Sequence, residues 1–312
     1  MRIAILGATS EIAKDLILLF STSKASFELV LFGRHPLAIR EWLECENLQN
    51  RYFWADLNDF GSHQFFDAIL NFIGSGSPSK TADMGSDIYC ITEQYDLKVM
   101  GYLKSFPDCK YIFMSSGAVY GASFEEPISD YSAATMQLNK PIADYYGAAK
   151  LVSEIRHRSY TKLAIVDLRI FSYFSHTQNI NSNYLMCDIY RAIKESSTFA
   201  TSESNIFRDY IDPLDLYQLI VEILRGPSIN AAFDCYSKSP IGKLEILKVM
   251  QDLFGLRYKL ISREAMPYPK DKIYYYSTNK NASILGYAPS ADSLSTVINQ
   301  IQILLSLNNI KY

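Results

Sequence analysis

Three residues of this sequence could together move a proton onto or off an oxygen: Ser116, Tyr146 and Lys150. Tyr146 and Lys150 lie in Asp144-Tyr145-Tyr146-Gly147-Ala148-Ala149-Lys150, so on a helix they fall one turn apart on one face, where an ammonium can sit beside a phenol or a cofactor ribose. A free phenol titrates near about 10, and a neighbouring cation favours its phenolate. That is acid/base chemistry on a carbonyl or an alcohol. Ser116 ends the run Lys110-Tyr111-Ile112-Phe113-Met114-Ser115-Ser116 and can donate a hydrogen bond to a substrate oxygen. The spacing Tyr-x-x-x-Lys selects nothing by itself, because a chain with 23 tyrosines repeats it by chance, at Tyr190/Lys194, Tyr268/Lys272 and Tyr276/Lys280.

The elements that must position these groups can be read outward from the N-terminus. Arg2-Ile3-Ala4-Ile5-Leu6 is an almost uninterrupted apolar run closed by a glycine, the pattern of a central parallel strand buried on both faces. The turn Gly7 to Ala13 follows, then Lys14 to Phe20 at helical spacing. This order places backbone N–H groups of Gly7, Thr9, Ser10, Glu11 and Ile12 at a helix N-terminus, where a pyrophosphate can dock. Further strands are expected at Glu28 to Phe32, Tyr52 to Leu57, Asp67 to Gly74 and Lys110 to Ser116, with a helix over Tyr95 to Phe106 and a flexible loop over Gly74 to Lys80. Alternating strands and helices predict the α/β class, a Rossmann-type doubly wound parallel sheet, in which ligands gather at the carboxyl ends of strands. At the end of the second strand, an acid would accept from the adenosine ribose and a base would accommodate a 2′-phosphate. Arg34 stands there, which points to NADP(H); the alternative is an exposed loop arginine.

Composition narrows the partners. The 312 residues, 48% of them hydrophobic, suffice for one large or two modest domains with a real core. A net charge of -3 argues against a nucleic-acid footprint. The five cysteines are scattered without a Cys-x-x-Cys, which fits reduced thiols in a cytoplasm. No apolar run approaches the roughly 20 residues of a membrane span, and no signal peptide is read at the N-terminus, so a cytoplasmic location is expected. The four histidines show no ligand spacing, and no metal is expected. His176 reads either as a second proton group or as an ordinary loop histidine, and Tyr274-Tyr275-Tyr276 as a strand or packing surface.

Ser-Ser-Gly-Ala-Val-Tyr-Gly at 115–121 followed by Tyr-Gly-Ala-Ala-Lys at 146–150 is similar to the extended short-chain dehydrogenases/reductases, the NAD(P)-dependent epimerase/dehydratase family acting on nucleotide sugars. The N-terminal turn resembles the family's Gly-x-x-Gly-x-x-Gly, with Ser10 and Ala13 at its second and third glycines. Leu168 to Ser172 resembles Leu-Arg-x-x-Asn with serine for asparagine, Phe207 to Leu216 resembles the Arg-Asp-Tyr-Ile segment, and Lys280 to Pro289 resembles the closing Lys-Ala-x-x-x-Leu-Gly-Trp-x-Pro. The likeness runs through nearly the whole chain in order, and it selects Tyr146 over the other three tyrosines.

What this resemblance implies is an NAD(P)-binding domain over 1–171 and a smaller α/β substrate-binding region over 172–312, interleaved with returning Rossmann elements near 206–225. Tyr146 is then the general acid/base, Lys150 holds the nicotinamide ribose and lowers the tyrosine pKa, and Ser116 orients the sugar oxygen. Asp56 and Leu57 lie near the adenine. Ser172 and Arg208 contact the substrate, Arg208 at its diphosphate, with Lys270 or Lys272 in place of a second arginine. Dehydratases carry Asp-Glu directly after the catalytic hydroxyl residue, and an epimerase-reductase carries a cysteine two residues after it. Here Gly117 and Ala118 follow Ser116, which disfavours both chemistries. The expectation is NADPH-dependent reduction of a nucleotide-activated 4-keto-6-deoxy sugar, in surface polysaccharide or deoxysugar biosynthesis, by a homodimer. The alternatives are a 4-epimerase with retained NAD and, in another class, a non-catalytic dinucleotide-binding sensor.

Overall fold

The computed structural model of the chain describes residues 1–23, 26–61, 63–74, 84–121, 124–136, 144–262 and 272–309. The loop expected after Gly74, together with Tyr268 and Lys270, lies outside them. Seven strands form the main sheet: β1 (Arg2–Leu6), β2 (Glu28–Gly33), β3 (Phe53–Asp56), β4 (Ala68–Asn71), β5 (Lys110–Ser116), β6 (Ile165–Ile170) and β11 (Ala231–Asp234). Their spatial order is β11-β6-β5-β4-β1-β2-β3, and every pairing is parallel. This is the Rossmann-type α/β fold expected. Order reverses between β1 and β4, so the ligand crevice of such a sheet opens where Leu6 and Asn71 end their paired strands.

The apolar strands exist because both of their faces are covered. Ile3 and Ile5 of β1 point into one core with Leu29 and Leu31, whereas Ala4 and Leu6 point into another with Val30 and Phe32. Helices α1 (Glu11–Thr22) and α2 (Pro36–Cys45) cover the first face, and α3 (Asp87–Ser105) covers the second. Full burial of each such Ile or Leu stabilises the fold by about 1.5–3 kcal/mol. The helix expected to start at Tyr95 begins two turns earlier, because the buried positions Ile88, Thr92 and Asp96 extend its inner face.

Helix α4 (Tyr145–Ser159) starts where the side chain of Asp144 accepts a hydrogen bond from the Gly147 N–H at 2.8 Å, and Arg156, His157 and Arg158 in its last turn suit the helix dipole. After β6 the chain leaves the sheet through β7 (Ser172–Tyr173), α5 (Leu185–Lys194), β8 (Thr198–Ser202), β9 (Phe207–Arg208) and β10 (Tyr210–Ile211). Helix α6 (Pro213–Arg225) returns it; Leu216, Leu219, Ile220 and Ile223 join the same core as α1, and β11 completes the sheet edge. The remaining elements are β12 (Ile241–Gly242), α7 (Lys243–Phe254), β13 (Arg257–Ile261), β14 (Tyr274–Tyr275) and α8 (Ser293–Asn309). All of these but β14 enclose, with α5, a separate apolar core around Met186, Tyr190, Leu247, Met250, Val297 and Ile301. No helix among the described residues is long and apolar enough to cross a membrane.

Candidate active site

Ser116 sits at the carboxyl end of β5, opposite Ile170 in β6, with 6% of its surface exposed. The paired hydroxyls separate by strand alternation: Ser115 donates to Glu154 Oε1 at 2.5 Å on the inner side, which leaves Ser116 to face the crevice. Ser116 Oγ accepts from the Ala118 N–H at 3.2 Å and lies 3.2 Å from the hydroxyl of Tyr275. It also lies near enough to the phenol of Tyr146 to pull its pKa down. Two close approaches shape this point, the first of them with α4. A Cβ on Gly147 would stand 2.6 Å from the Ala118 carbonyl oxygen, and one on Gly117 would stand 2.4 Å from the Phe171 ring. Only glycine fits either place.

Lys150, one turn after Tyr146, is 2% exposed. Its ammonium donates to the carbonyls of Met114 at 2.7 Å and Ile73 at 3.4 Å, and lies 4.2 Å from the centre of the Phe113 ring and 5.7 Å from that of Tyr146. Burial lowers its pKa to about 8 against the opposing pull of Asp96, Asp167 and Glu154. Burial likewise raises Tyr146 to about 12, with Ser116 pulling it down and Asp144 pushing it up. The lowering of the tyrosine by Lys150 that the resemblance implies is not seen here, because the ammonium is turned to backbone carbonyls. Tyr146 is therefore held as a protonated phenol.

Of the other tyrosines at this spacing, Tyr190 is fully buried in the C-terminal core, and Lys280 of the last pair lies 3.8 Å from the Tyr236 ring centre. Neither pair meets Ser116 among the described contacts.

The residues expected to hold a dinucleotide meet at the order reversal of the sheet. Gly7 adopts φ +79°, and a Cβ there would come within 3.1 Å of the Phe72 backbone, so the glycine keeps the mouth of the crevice open. Ser10 is accommodated in a glycine position because its backbone is extended, at φ -65° and ψ 144°. Its side chain makes no capping hydrogen bond, and the first-turn N–H groups of α1 have no intrahelical acceptor. Ala13 is fully buried, its methyl packed in the core. Thr9 is exposed, and Ser10, Glu11 and Ile12 are half-buried around this turn. Glu11 accepts from the Asn179 N–H at 3.1 Å, which ties the turn to the C-terminal half.

Arg34 is exposed just past β2. Asp56, paired with Gly33 across β2 and β3, accepts from the Asn58 N–H at 2.8 Å, and the neighbouring Leu57 is buried. Gly74 completes the cradle; a Cβ there would lie 3.5 Å from Lys150 Nζ and 3.9 Å from the Tyr146 ring. A crevice open at Gly7, a helix N-terminus behind it and a lysine at its far wall suit a dinucleotide.

On the opposite side, Arg208 donates to the carbonyls of Phe207 at 2.7 Å and Lys272 at 2.8 Å, with its guanidinium 5.7 Å from the centre of the Tyr275 ring. Asp209 anchors this segment by accepting from the Ser237 N–H and the Ser293 hydroxyl, both at 3.1 Å. Lys272 Nζ lies 5.0 Å from the Tyr275 ring centre and 3.8 Å from Asp144 Oδ2, and burial lowers its pKa. Ser172 is half-buried on β7, paired with Tyr210 of β10. His176 is bonded to Gln300 of α8, its Nδ1 3.0 Å from Oε1.

Tyr275 is the residue that the sequence reading missed. The alternation of β14 turns it away from Tyr274, which stacks on Phe207, and against Ser116, Phe124 and Phe171. That alternation was the available signal.

The sequence model of the NAD dependent epimerase/dehydratase family matches residues 28–234. The chain belongs to that family. As a family member it is an enzyme of the short-chain dehydrogenase/reductase type, dependent on NAD or NADP. The match begins past the turn in which Ser10 and Ala13 replace glycines.

Several solved structures share the fold of this family member at low identity. The UDP-glucose-4-epimerase of Stenotrophomonas maltophila, with bound NAD and formylated UDP-arabinopyranose, superposes with a TM-score of 0.82 at 15% identity over 99% of both chains. The UDP-glucuronic acid 4-epimerase of Bacillus cereus, in complex with UDP-glucuronic acid and NAD, gives 0.79 at 17% identity over 98% of this chain and 100% of that one. The dTDP-glucose 4,6-dehydratase of Bacillus anthracis, in complex with NAD, gives 0.79 at 12% over 100% and 98%. No curated protein matches the sequence.

Proposed function

We propose that this enzyme uses NADPH to reduce the carbonyl of a nucleotide-activated 4-keto-6-deoxy sugar. The observation that carries the reading is the protonated phenol of Tyr146 beside Ser116, at a place where Gly117 and Ala118 offer neither carboxylate nor thiol and the Phe171 ring leaves no room for one at 117. An elimination needs a base such as a carboxylate as well; a reduction needs only the acid.

Each residue then has a task. Arg208 and Lys272 hold the diphosphate, Ser172 faces the sugar, and Ser116 donates to the carbonyl oxygen. Gly7, Thr9, Ser10, Glu11 and Ile12 hold the cofactor pyrophosphate, Asp56 and Leu57 border the adenine, and Arg34 takes the 2′-phosphate. Lys150 holds the ribose. NADPH, when bound, supplies the hydride. Tyr146 gives its proton to the developing alkoxide, a transfer that stays favourable despite the raised pKa of the phenol because an alkoxide is the far stronger base. A homodimer through α3 and α4 is part of the same reading, with Leu97 and Ile155 exposed on those helices.

A second reading, a 4-epimerase with retained NAD, is favoured by the presence of 4-epimerases among the similar structures. Stoichiometry separates the two. A reductase consumes one NADPH per product, whereas an epimerase turns over without net change in nicotinamide absorbance. In either case Tyr146→Phe is expected to abolish turnover and leave cofactor binding intact; unchanged turnover in that variant would sink the assignment.

A further inference from the structure

We propose that Tyr275 is a positioning residue: its hydroxyl occupies the last acceptor site of Ser116 and so aims the serine proton at Tyr146 and the substrate oxygen. This rests on the reading of Ser116 and Tyr146 given above and deepens it.

The argument is a count of hydrogen bonds. A serine hydroxyl has one proton and two lone pairs. The Ala118 N–H takes one lone pair of Ser116 Oγ at 3.2 Å, and Tyr275 lies 3.2 Å away on another side. A phenol is a stronger acid and a poorer acceptor than an aliphatic alcohol, so within this pair Tyr275 donates and Ser116 accepts. Both lone pairs are then used. The serine proton has to point elsewhere, and the groups available are the Tyr146 oxygen and the sugar oxygen.

Tyr275 is itself held by its surroundings. Phe124 and Phe171 meet its ring edge-on at 4.8 and 5.4 Å between centres, and the charges of Lys272 and Arg208 lie 5.0 and 5.7 Å from it. Burial keeps its hydroxyl protonated well above the ordinary phenol range. The two cations proposed to take the diphosphate thus rest on the ring that orients the catalytic serine, which ties the far end of the substrate to the reacting end.

The test is Tyr275→Phe, which keeps the ring and its packing and removes only the donor. Tyr146 is followed by NMR of isotopically labelled tyrosine, its resonance assigned by its loss in Tyr146→Phe. The charged and titratable groups around the phenol are Lys150 of α4, Asp144 just before that helix, Tyr184 just before α5 and Tyr275 of β14, and all but Tyr275 are unchanged in the variant. The Tyr146 titration is expected to move to higher pH, in the same direction as in Ser116→Ala. In the turnover assay kcat is expected to fall about 10- to 100-fold with KM nearly unchanged, the signature of lost orientation. Tyr274→Phe, a phenol of the same strand stacked on Phe207, should alter neither. A Tyr146 titration in Tyr275→Phe that coincides with wild type overturns the proposal. That readout uses no sugar, so a wild-type enzyme that turns over no nucleotide sugar counts against the proposed reaction and leaves this hydrogen bond to be judged on its own.

Discussion

Replacing Lys150 by methionine is expected to make the protein more stable while removing its activity. The lysine titrates near 8 in the fold against 10.5 in the unfolded chain, a difference that costs about 3 kcal/mol at neutral pH. Methionine avoids that cost and fills most of the same volume. It forfeits the hydrogen bonds to the Met114 and Ile73 carbonyls, at about 1 kcal/mol, since a strand carbonyl keeps other partners. The net gain is about 2 kcal/mol, a rise in Tm of about 3 °C for a chain of this size.

The pH dependence is the sharper test. A lysine whose folded pKa is depressed destabilises the fold in full below about 8, and the penalty fades as pH rises toward 10.5. Urea unfolding of both proteins without cofactor should therefore show the variant ahead near neutrality and level with or behind wild type at about pH 10. A variant that is less stable at neutrality, or whose advantage is the same at both pH values, would refute the reasoning. Function accounts for the retention of so costly a residue.

Other outcomes follow from the same geometry. Arg34→Ser should weaken NADPH by about 10- to 100-fold, the worth of a charge-assisted contact, while NADH is unaffected; equal losses for both cofactors would place Arg34 away from the 2′-phosphate. Gly117→Asp should destabilise the protein by about 1–3 kcal/mol through collision with Phe171, and a second change, Phe171→Ala, should recover part of the loss in thermal unfolding. His157 is wholly buried with Asp167 and Asp96 each 2.7 Å from a ring nitrogen. Burial alone would lower its pKa, yet the two carboxylates raise it from 6.5 to about 9. Its stabilising contribution is then complete below 6.5 and lost as pH rises through about 9, so His157→Gln should flatten the stability profile across that window; a profile identical to wild type would show that the imidazole is neutral.

The sequence by itself determined the sheet. Uninterrupted apolar runs at Ile3 to Leu6, Leu29 to Phe32 and Tyr111 to Met114 can satisfy both faces only as parallel strands between helices, and the residues at their ends mark where a cofactor and a substrate meet. Ser116 and Tyr146 were legible for the same reason, since a strand end and a helix start are local events. Tyr275 was not, because it lies 159 residues from Ser116 in the chain and reaches it only when β14 pairs with β9. Protonation was also beyond the sequence. A tyrosine four residues from a lysine reads as a lowered phenol, but the Met114 and Ile73 carbonyls draw the ammonium away and burial raises the phenol instead. Residue types and spacing name the groups that can carry a proton. Which of them holds it at neutral pH depends on desolvation and on the third partner of each hydrogen bond, and both arise only when distant segments pack together.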